Sequence, residues 1–178
     1  GLIDVYTVAG DSAPNRLFLN NGDNTFTDET ARFALDLTHA GSGPTFADID
    51  GDGDLDMFIG SAQEDRIYLL RRDGDAYVDV TATSGIAITV SNTVSAAFGD
   101  YDGDGYLDIH TSEWGNINYE TVELYSHARL LRNLGDENPA HFIDATIASN
   151  VVLDQYVGYS PKFQAEGLWT FTSTFADF

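Results

Sequence analysis

The chain has 178 residues, 43% of them hydrophobic and 12% aromatic, enough to bury a substantial core and too apolar for a disordered tract. Its formal net charge of −21, with Lys162 as the one lysine, excludes nucleic acid as a partner and disfavours anionic membranes, since both need clustered cations. With no cysteine, disulfides, thiolate metal sites and cysteine nucleophiles are excluded as well.

Taken in order, Gly1-Leu-Ile-Asp4 leads into an apolar run, Val5-Tyr-Thr-Val8. A second strand signal follows at Arg16-Leu-Phe-Leu-Asn20, then a turn at Asn21-Gly-Asp-Asn24 and an alternating strand at Phe26-Thr-Asp-Glu-Thr30. The same succession returns twice. Asp4, Asp56 and Asp108 stand 52 residues apart, and the latter two open Met57-Phe-Ile59 and Ile109-His-Thr111. Arg66-Ile-Tyr-Leu-Leu70 and Arg129-Leu-Leu-Arg-Asn133 repeat the second signal. Arg72-Asp-Gly-Asp75 and Leu134-Gly-Asp-Glu137 repeat the turn, and Tyr77–Thr81 and Phe142–Thr146 repeat the last strand. A segment ending in Phe46, Phe98 or Phe175 precedes each return to the start.

Between the first and second strands of each full unit lies a strongly acidic loop. The first runs Asp48-Ile-Asp50-Gly-Asp52-Gly-Asp54-Leu-Asp56 and the second Asp100-Tyr-Asp102-Gly-Asp104-Gly-Tyr106-Leu-Asp108. Carboxylates occupy positions 1, 3, 5 and 9, with Gly at 4 and 6. Alternate side chains of a curled loop converge, and four anionic oxygens facing one centre repel unless a hard cation sits there. Calcium takes six to eight oxygens at about 2.3–2.6 Å, and Gly at position 6 permits the turn that frees the position-7 carbonyl, of Asp54 or Tyr106. Ordinary Asp-Gly turns and a paired-carboxylate acid–base site are the alternatives; neither uses all four carboxylates twice.

An EF-hand does not fit. Its loop ends in a bidentate Glu at position 12, where this chain has Ile59 and Thr111, and strand-like rather than helical runs flank both loops. A dockerin-type pair of loops fails for the same reason.

Four short strands per repeat are the signature of a propeller blade. The fold class expected is all-β, with blades of four antiparallel strands, about three in number. The whole of 1–178 is one such region, with complete blades at about 42–83 and 93–148. Halves at 1–31 and 168–178 share a further blade, since Thr174-Phe-Ala-Asp177-Phe178 matches the approach to a loop that Gly1–Asp4 finishes. Three blades do not close a ring, so the expectation is a partial propeller or one completed by self-association, as a homodimer or higher. Insertions at 113–127 and 154–167 depart from the repeat; the first is aromatic and polar, with Trp114, Asn116, Asn118, Tyr119 and Tyr125.

At these residues the chain resembles the FG-GAP/VCBS repeat proteins, whose propeller domains include that of the integrin α-subunit. Phe46–Asp56 and Phe98–Asp108 are close matches to the family's loop, and Arg16–Thr30 is similar to the hairpin linked to it in the bacterial branch. The resemblance covers nearly the whole chain. It implies a calcium-bearing β-propeller on a secreted or surface protein, used for binding or adhesion. By position it implies Asp48, Asp50, Asp52, Asp56 and Asp100, Asp102, Asp104, Asp108 as ligands, with Asp4 and Asp177 the remnants of a third, incomplete site.

The remaining constellations are weak. His39, His110, His127 and His141 lack metal spacing and read as structural. No Gly-x-Ser-x-Gly elbow occurs, and Gly41-Ser-Gly43 lacks the lysine of a P-loop. Trp114 and Trp169 read as core aromatics before sugar platforms. Arg16, Arg66 and Arg129 read as structural partners of nearby carboxylates. No signal-peptide pattern or membrane-spanning run stands in the sequence, and Gly1 in place of Met leaves room for an upstream leader.

The function expected is a calcium-binding, non-catalytic binding or adhesion module, with a protein or carbohydrate ligand and no membrane insertion. The setting expected is extracellular, cell-surface or periplasmic, where calcium is millimolar. The alternative is the propeller portion of a polysaccharide lyase or hydrolase, for which Glu113, Glu120 and Glu123 are the candidate acids. A purely structural array without a ligand of its own is the third reading.

Overall fold

The computed structural model describes residues 1–10, 13–62, 66–86, 93–113, 128–151 and 174–176, with the backbone of 117–118 and 123–124. Trp114, Asn116, Tyr119, Glu120, Tyr125, His127, Trp169, Asp177 and the 154–167 insertion lie outside the described residues.

The described chain is almost entirely β, arranged as successive antiparallel sheets without an α-helix. The first sheet has β1 (Val5–Thr7), β2 (Arg16–Asn20) and β3 (Phe26–Asp28) in that order. The second has β4 (Gly41–Ala47), β5 (Asp56–Ser61), β6 (Tyr68–Asp73) and β7 (Ala76–Asp79), each paired with the next. The third has β8 (Thr93–Gly99), β9 (Asp108–Glu113), β12 (Leu130–Asn133) and β13 (Phe142–Asp144). A small hairpin of β10 (Ile117–Asn118) and β11 (Glu123–Leu124) interrupts the third sheet within the first insertion. The second and third sheets are the four-stranded blades expected from the repeat; the first has three strands, and the 168–178 half expected to complete it lies outside the described residues apart from 174–176. Among the described residues, no helix is long and apolar enough to cross a membrane.

Packing explains the composition of the strands. Met57, Phe58 and Ile59 on β5 are all fully buried because both faces of the second sheet are covered. Met57, Ile59 and Leu70 turn to a cluster shared with Leu17, Phe33 and Leu35 of the first sheet and its following turn. Phe58 and Leu69 turn the other way, to a cluster with Ile109, Leu131 and Phe142 of the third. Period-two side chains on a two-sided sheet give a continuous apolar run. Burial of each such side chain contributes about 1.5–3 kcal/mol.

One step relates sheet to sheet. The Tyr77 amide donates to the Phe33 carbonyl (3.0 Å), and the Phe142 amide donates to the Ser84 carbonyl (2.6 Å). Each acceptor stands three residues past the threonine that follows its sheet's last strand. The first strands lie side by side: Ser42 Oγ donates to the Val94 carbonyl at 2.8 Å and Thr45 Oγ1 to that of Ala96 at 3.0 Å. Phe46 meets Tyr6 of the preceding sheet edge-on at 6.4 Å, Phe98 packs on the cluster holding Phe58, and Phe175 lies against Gly99. The three phenylalanines singled out in the sequence thus each cap the sheet before them.

Two strand boundaries differ from expectation. The last strand of each sheet stops at Asp28, Asp79 or Asp144 and does not reach Thr30, Thr81 or Thr146. Each Asp Oδ1 accepts the amide two residues on (2.9–3.0 Å), which turns the chain out of the sheet. The threonine Oγ1 then accepts the amide of Leu17, Leu69 or Leu130 at 2.8–3.0 Å, fastening that turn to the neighbouring strand. The other difference is register. Val5, Met57 and Ile109 face Phe18, Leu70 and Leu131, so Tyr68 and not Arg66 occupies the place of Arg16 and Arg129. A slip of two residues preserves every side-chain face, so alternation alone does not reveal it. Arg66 still reaches the equivalent carboxylate. Arg16, Arg66 and Arg129 pair with Asp28, Asp79 and Asp144 at 3.6, 2.5 and 3.8 Å, the structural role expected of them.

Candidate metal centres

The two acidic loops join the first strand of a sheet to its second, β4 to β5 and β8 to β9. Their curl is set by glycine. Gly51 and Gly53 have φ of 77° and 91°, and Gly103 and Gly105 have 75° and 92°, a region in which other residues are strained. The curl brings amides under the first carboxylate. Asp48 accepts from Gly51 (2.8 Å) and Gly53 (3.0 Å), and Asp100 accepts from Gly103 and Gly105 at the same distances.

The last carboxylate of each loop is a pillar. Asp56 is fully buried; its Oδ2 accepts the Ile49 amide (2.9 Å) and its Oδ1 the Arg72 amide of β6 (2.7 Å). Asp108, equally buried, accepts from Tyr101 (3.0 Å) and from Asn133 of β12 (2.8 Å). Asp4 repeats half of this arrangement, accepting the Asn20 amide at 2.9 Å. The loop's beginning and the third strand are therefore tied through one side chain. Sequence reasoning assigned these residues to a metal alone.

Asp48, Asp50 and Asp56 bring one carboxylate oxygen each to within 4.8 Å of one another, and Asp100, Asp102 and Asp108 do the same. That span is about twice a calcium–oxygen distance, so one hard cation can touch all three. Neither group contains a sulfur or imidazole donor, which disfavours softer metals. The fit is to a hard divalent ion. Asp52 and Asp104 are outside these groups: their Oδ1 atoms accept the amides of Asp54 (2.8 Å) and Tyr106 (3.0 Å). The Asp54 side chain faces Arg72 at 3.9 Å, and the Tyr106 hydroxyl donates to Asp136 at 2.5 Å.

The charge in these loops is only partly compensated. Burial, opposed by its two amide bonds and reinforced by Asp50 and Asp52, pushes the Asp56 carboxyl up to about 6. Burial also raises Asp108, and burial followed by the Asp52 charge raises Asp50. Three arginines answer in part, Arg72 beside Asp54 and two others. Arg71 Nε stands 3.9 Å from Asp50 Oδ2, whereas Arg132 donates from Nε to Asp102 Oδ2 (2.6 Å) and from its terminal nitrogen to Asp104 Oδ2 (3.2 Å). The observed register makes Arg71 and Arg132 equivalent, each one residue beyond the leucine facing Met57 or Ile109. They were missed in the sequence, although Leu69-Leu-Arg71 and Leu130-Leu-Arg132 recur there.

Two other expectations change or hold. Glu113, the first candidate acid of the lyase or hydrolase alternative, is not in the insertion but at the end of β9, fully buried, accepting from Thr93 Oγ1 at 2.8 Å. A carboxylate shut away from solvent does not meet a glycan. His39 is buried edge-on to Tyr68 at 4.7 Å, and burial lowers His110 toward the neutral imidazole, as structural histidines require.

No curated protein matches the chain. A family model described as an FG-GAP-like repeat matches residues 1–59 and again 48–111, the two matches overlapping on the first acidic loop. Together they span residues 1–111 of 178, including all of the first two sheets and both acidic loops. The chain belongs to the FG-GAP-like repeat family.

Proposed function

We propose that the chain is a calcium-binding, non-catalytic β-propeller-type module that presents a binding or adhesion surface outside the cytoplasm. One observation carries this reading: two loops, alike at positions 1, 3, 5 and 9, each converge three carboxylates on a space of calcium's size. Asp48, Asp50, Asp52 and Asp56 with the Asp54 carbonyl would hold one ion. Asp100, Asp102, Asp104 and Asp108 with the Tyr106 carbonyl would hold the other. Asp52 and Asp104 reach the ion by turning inward from their present amide partners. Calcium is structural here, offsetting the burial, and the smaller like-charge repulsion, that raise Asp50, Asp56 and Asp108. An extracellular, surface or periplasmic setting suits such sites, because weakly binding extracellular calcium modules work at about 10⁻⁴–10⁻³ M.

Membership of a repeat family that builds propeller-type modules supports a protein or carbohydrate ligand over a substrate. Self-association is supported by exposed apolar side chains at the first sheet, among them Ile3, Val5 and Phe26. Thermal unfolding in millimolar calcium and in excess chelator tests the metal reading. A ligand at 100 times its Kd adds about 2.7 kcal/mol per site, so the midpoint should rise by several degrees with calcium. Coincident curves would overturn it.

A further inference from the structure

The two loops share a ligand pattern but not a counter-cation. In the second, the Arg132 guanidinium spans positions 3 and 5, with 2.6 Å to Asp102 and 3.2 Å to Asp104. In the first, the equivalent Arg71 approaches only position 3, at 3.9 Å and without a hydrogen bond, and Asp52 at position 5 has no arginine partner among the described ion pairs. A forked guanidinium on two carboxylates is a directional, charge-assisted contact, whereas a single 3.9 Å approach is a diffuse one.

We propose that Arg132 is a resident cation of the second loop that competes with calcium, so that the two sites load in sequence, the 48–56 loop first and the 100–108 loop second. This rests on the calcium reading above. For calcium to be held by position 5 as well, Asp104 must leave Arg132 and turn toward Asp100 and Asp108, and Asp102, already converged with them, must share its charge with the guanidinium. That exchange subtracts the energy of the arginine contact from the affinity of the second site only. The same contact keeps the second loop folded when calcium is absent. The pair is partly solvent-exposed, with Arg132 at 37% and the two aspartates at 25% and 28%, so its worth lies at the low end for ion pairs. A change of about two- to fivefold in affinity corresponds to that range.

The test is calcium titration calorimetry of the full chain and of Arg132→Gln, Arg132→Lys, Arg71→Gln and Arg16→Gln. Arg16 pairs with Asp28 away from both loops and controls for net charge. Wild type should show a tighter and a weaker site. Arg132→Gln should tighten the weaker one about two- to fivefold, with Arg132→Lys between it and wild type because it keeps the charge and loses the fork. Arg71→Gln and Arg16→Gln should each change either site less than twofold. In chelator, Arg132→Gln should melt below wild type, a loss reversed by saturating calcium. Two calcium sites in wild type with an unchanged or weakened second site in Arg132→Gln would overturn the competition and leave the calcium reading standing. Equal tightening by Arg16→Gln would reduce the effect to net charge and overturn it too. No calcium uptake by any of the proteins would overturn both.

Discussion

The loops at 48–56 and 100–108 have nearly the same sequence and are held from opposite sides. The first is pinned at its second residue: Ile49 is buried in the cluster between sheets, and its carbonyl accepts from Asn133 Nδ2 of the third sheet at 2.8 Å. Its acidic positions meet arginine only at 3.9 Å. The second loop is the reverse. Tyr101, at the place of Ile49, is 37% exposed, while the acidic side is closed by Arg132 and by the Tyr106–Asp136 bond. One loop is held by its neighbour and open to an ion; the other is held by its own blade and partly occupied. A repeated motif therefore yields two sites of different character through contacts outside the motif.

The sharpest way to break this comparison is to remove what the loops share. Asp56→Ala or Asp108→Ala leaves two amides without their acceptor, at Ile49 and Arg72 or at Tyr101 and Asn133. Each should cost about 3 kcal/mol or more in denaturant unfolding, even with chelator present. Asp50→Ala under the same conditions should cost under about 1 kcal/mol, because it also relieves repulsion. Equal losses would mean that the position-9 carboxylates are not pillars. A smaller effect separates the two loops. Asn133→Ala removes the bonds to the Ile49 and Leu107 carbonyls, and should cost about 1–2 kcal/mol. Amide exchange should quicken more at Gly51 and Gly53 than at Gly103 and Gly105. The opposite order would place the anchor of the first loop elsewhere.

Much of this architecture was legible in the sequence. Asp, Gly and the 52-residue spacing located both loops, and alternating or continuous apolar runs located the strands, because those patterns follow from turn chemistry and from the pleat. What stayed hidden depends on distance across the chain. The turn at Asp79-Val-Thr81 reads as strand until the Leu69 amide is seen to bond the threonine hydroxyl. Glu113 reads as a loop acid because nothing local says that Thr93 and a covering sheet close over it. Arg66 took the place of Tyr68 in the comparison of repeats, which set Arg71 out of step with Arg132, because strands tolerate a two-residue slip without changing faces. With that register corrected, Arg71 and Arg132 fall beside the acidic loops, where alternation alone had not put them.

The most direct measurement is the calcium stoichiometry of the full chain by titration calorimetry, compared with Asp50→Ala and Asp102→Ala. Two ions bound by wild type and one by each variant would establish the two loops as the sites. No uptake by wild type, or an unchanged stoichiometry in both variants, would contradict a metal role for these carboxylates.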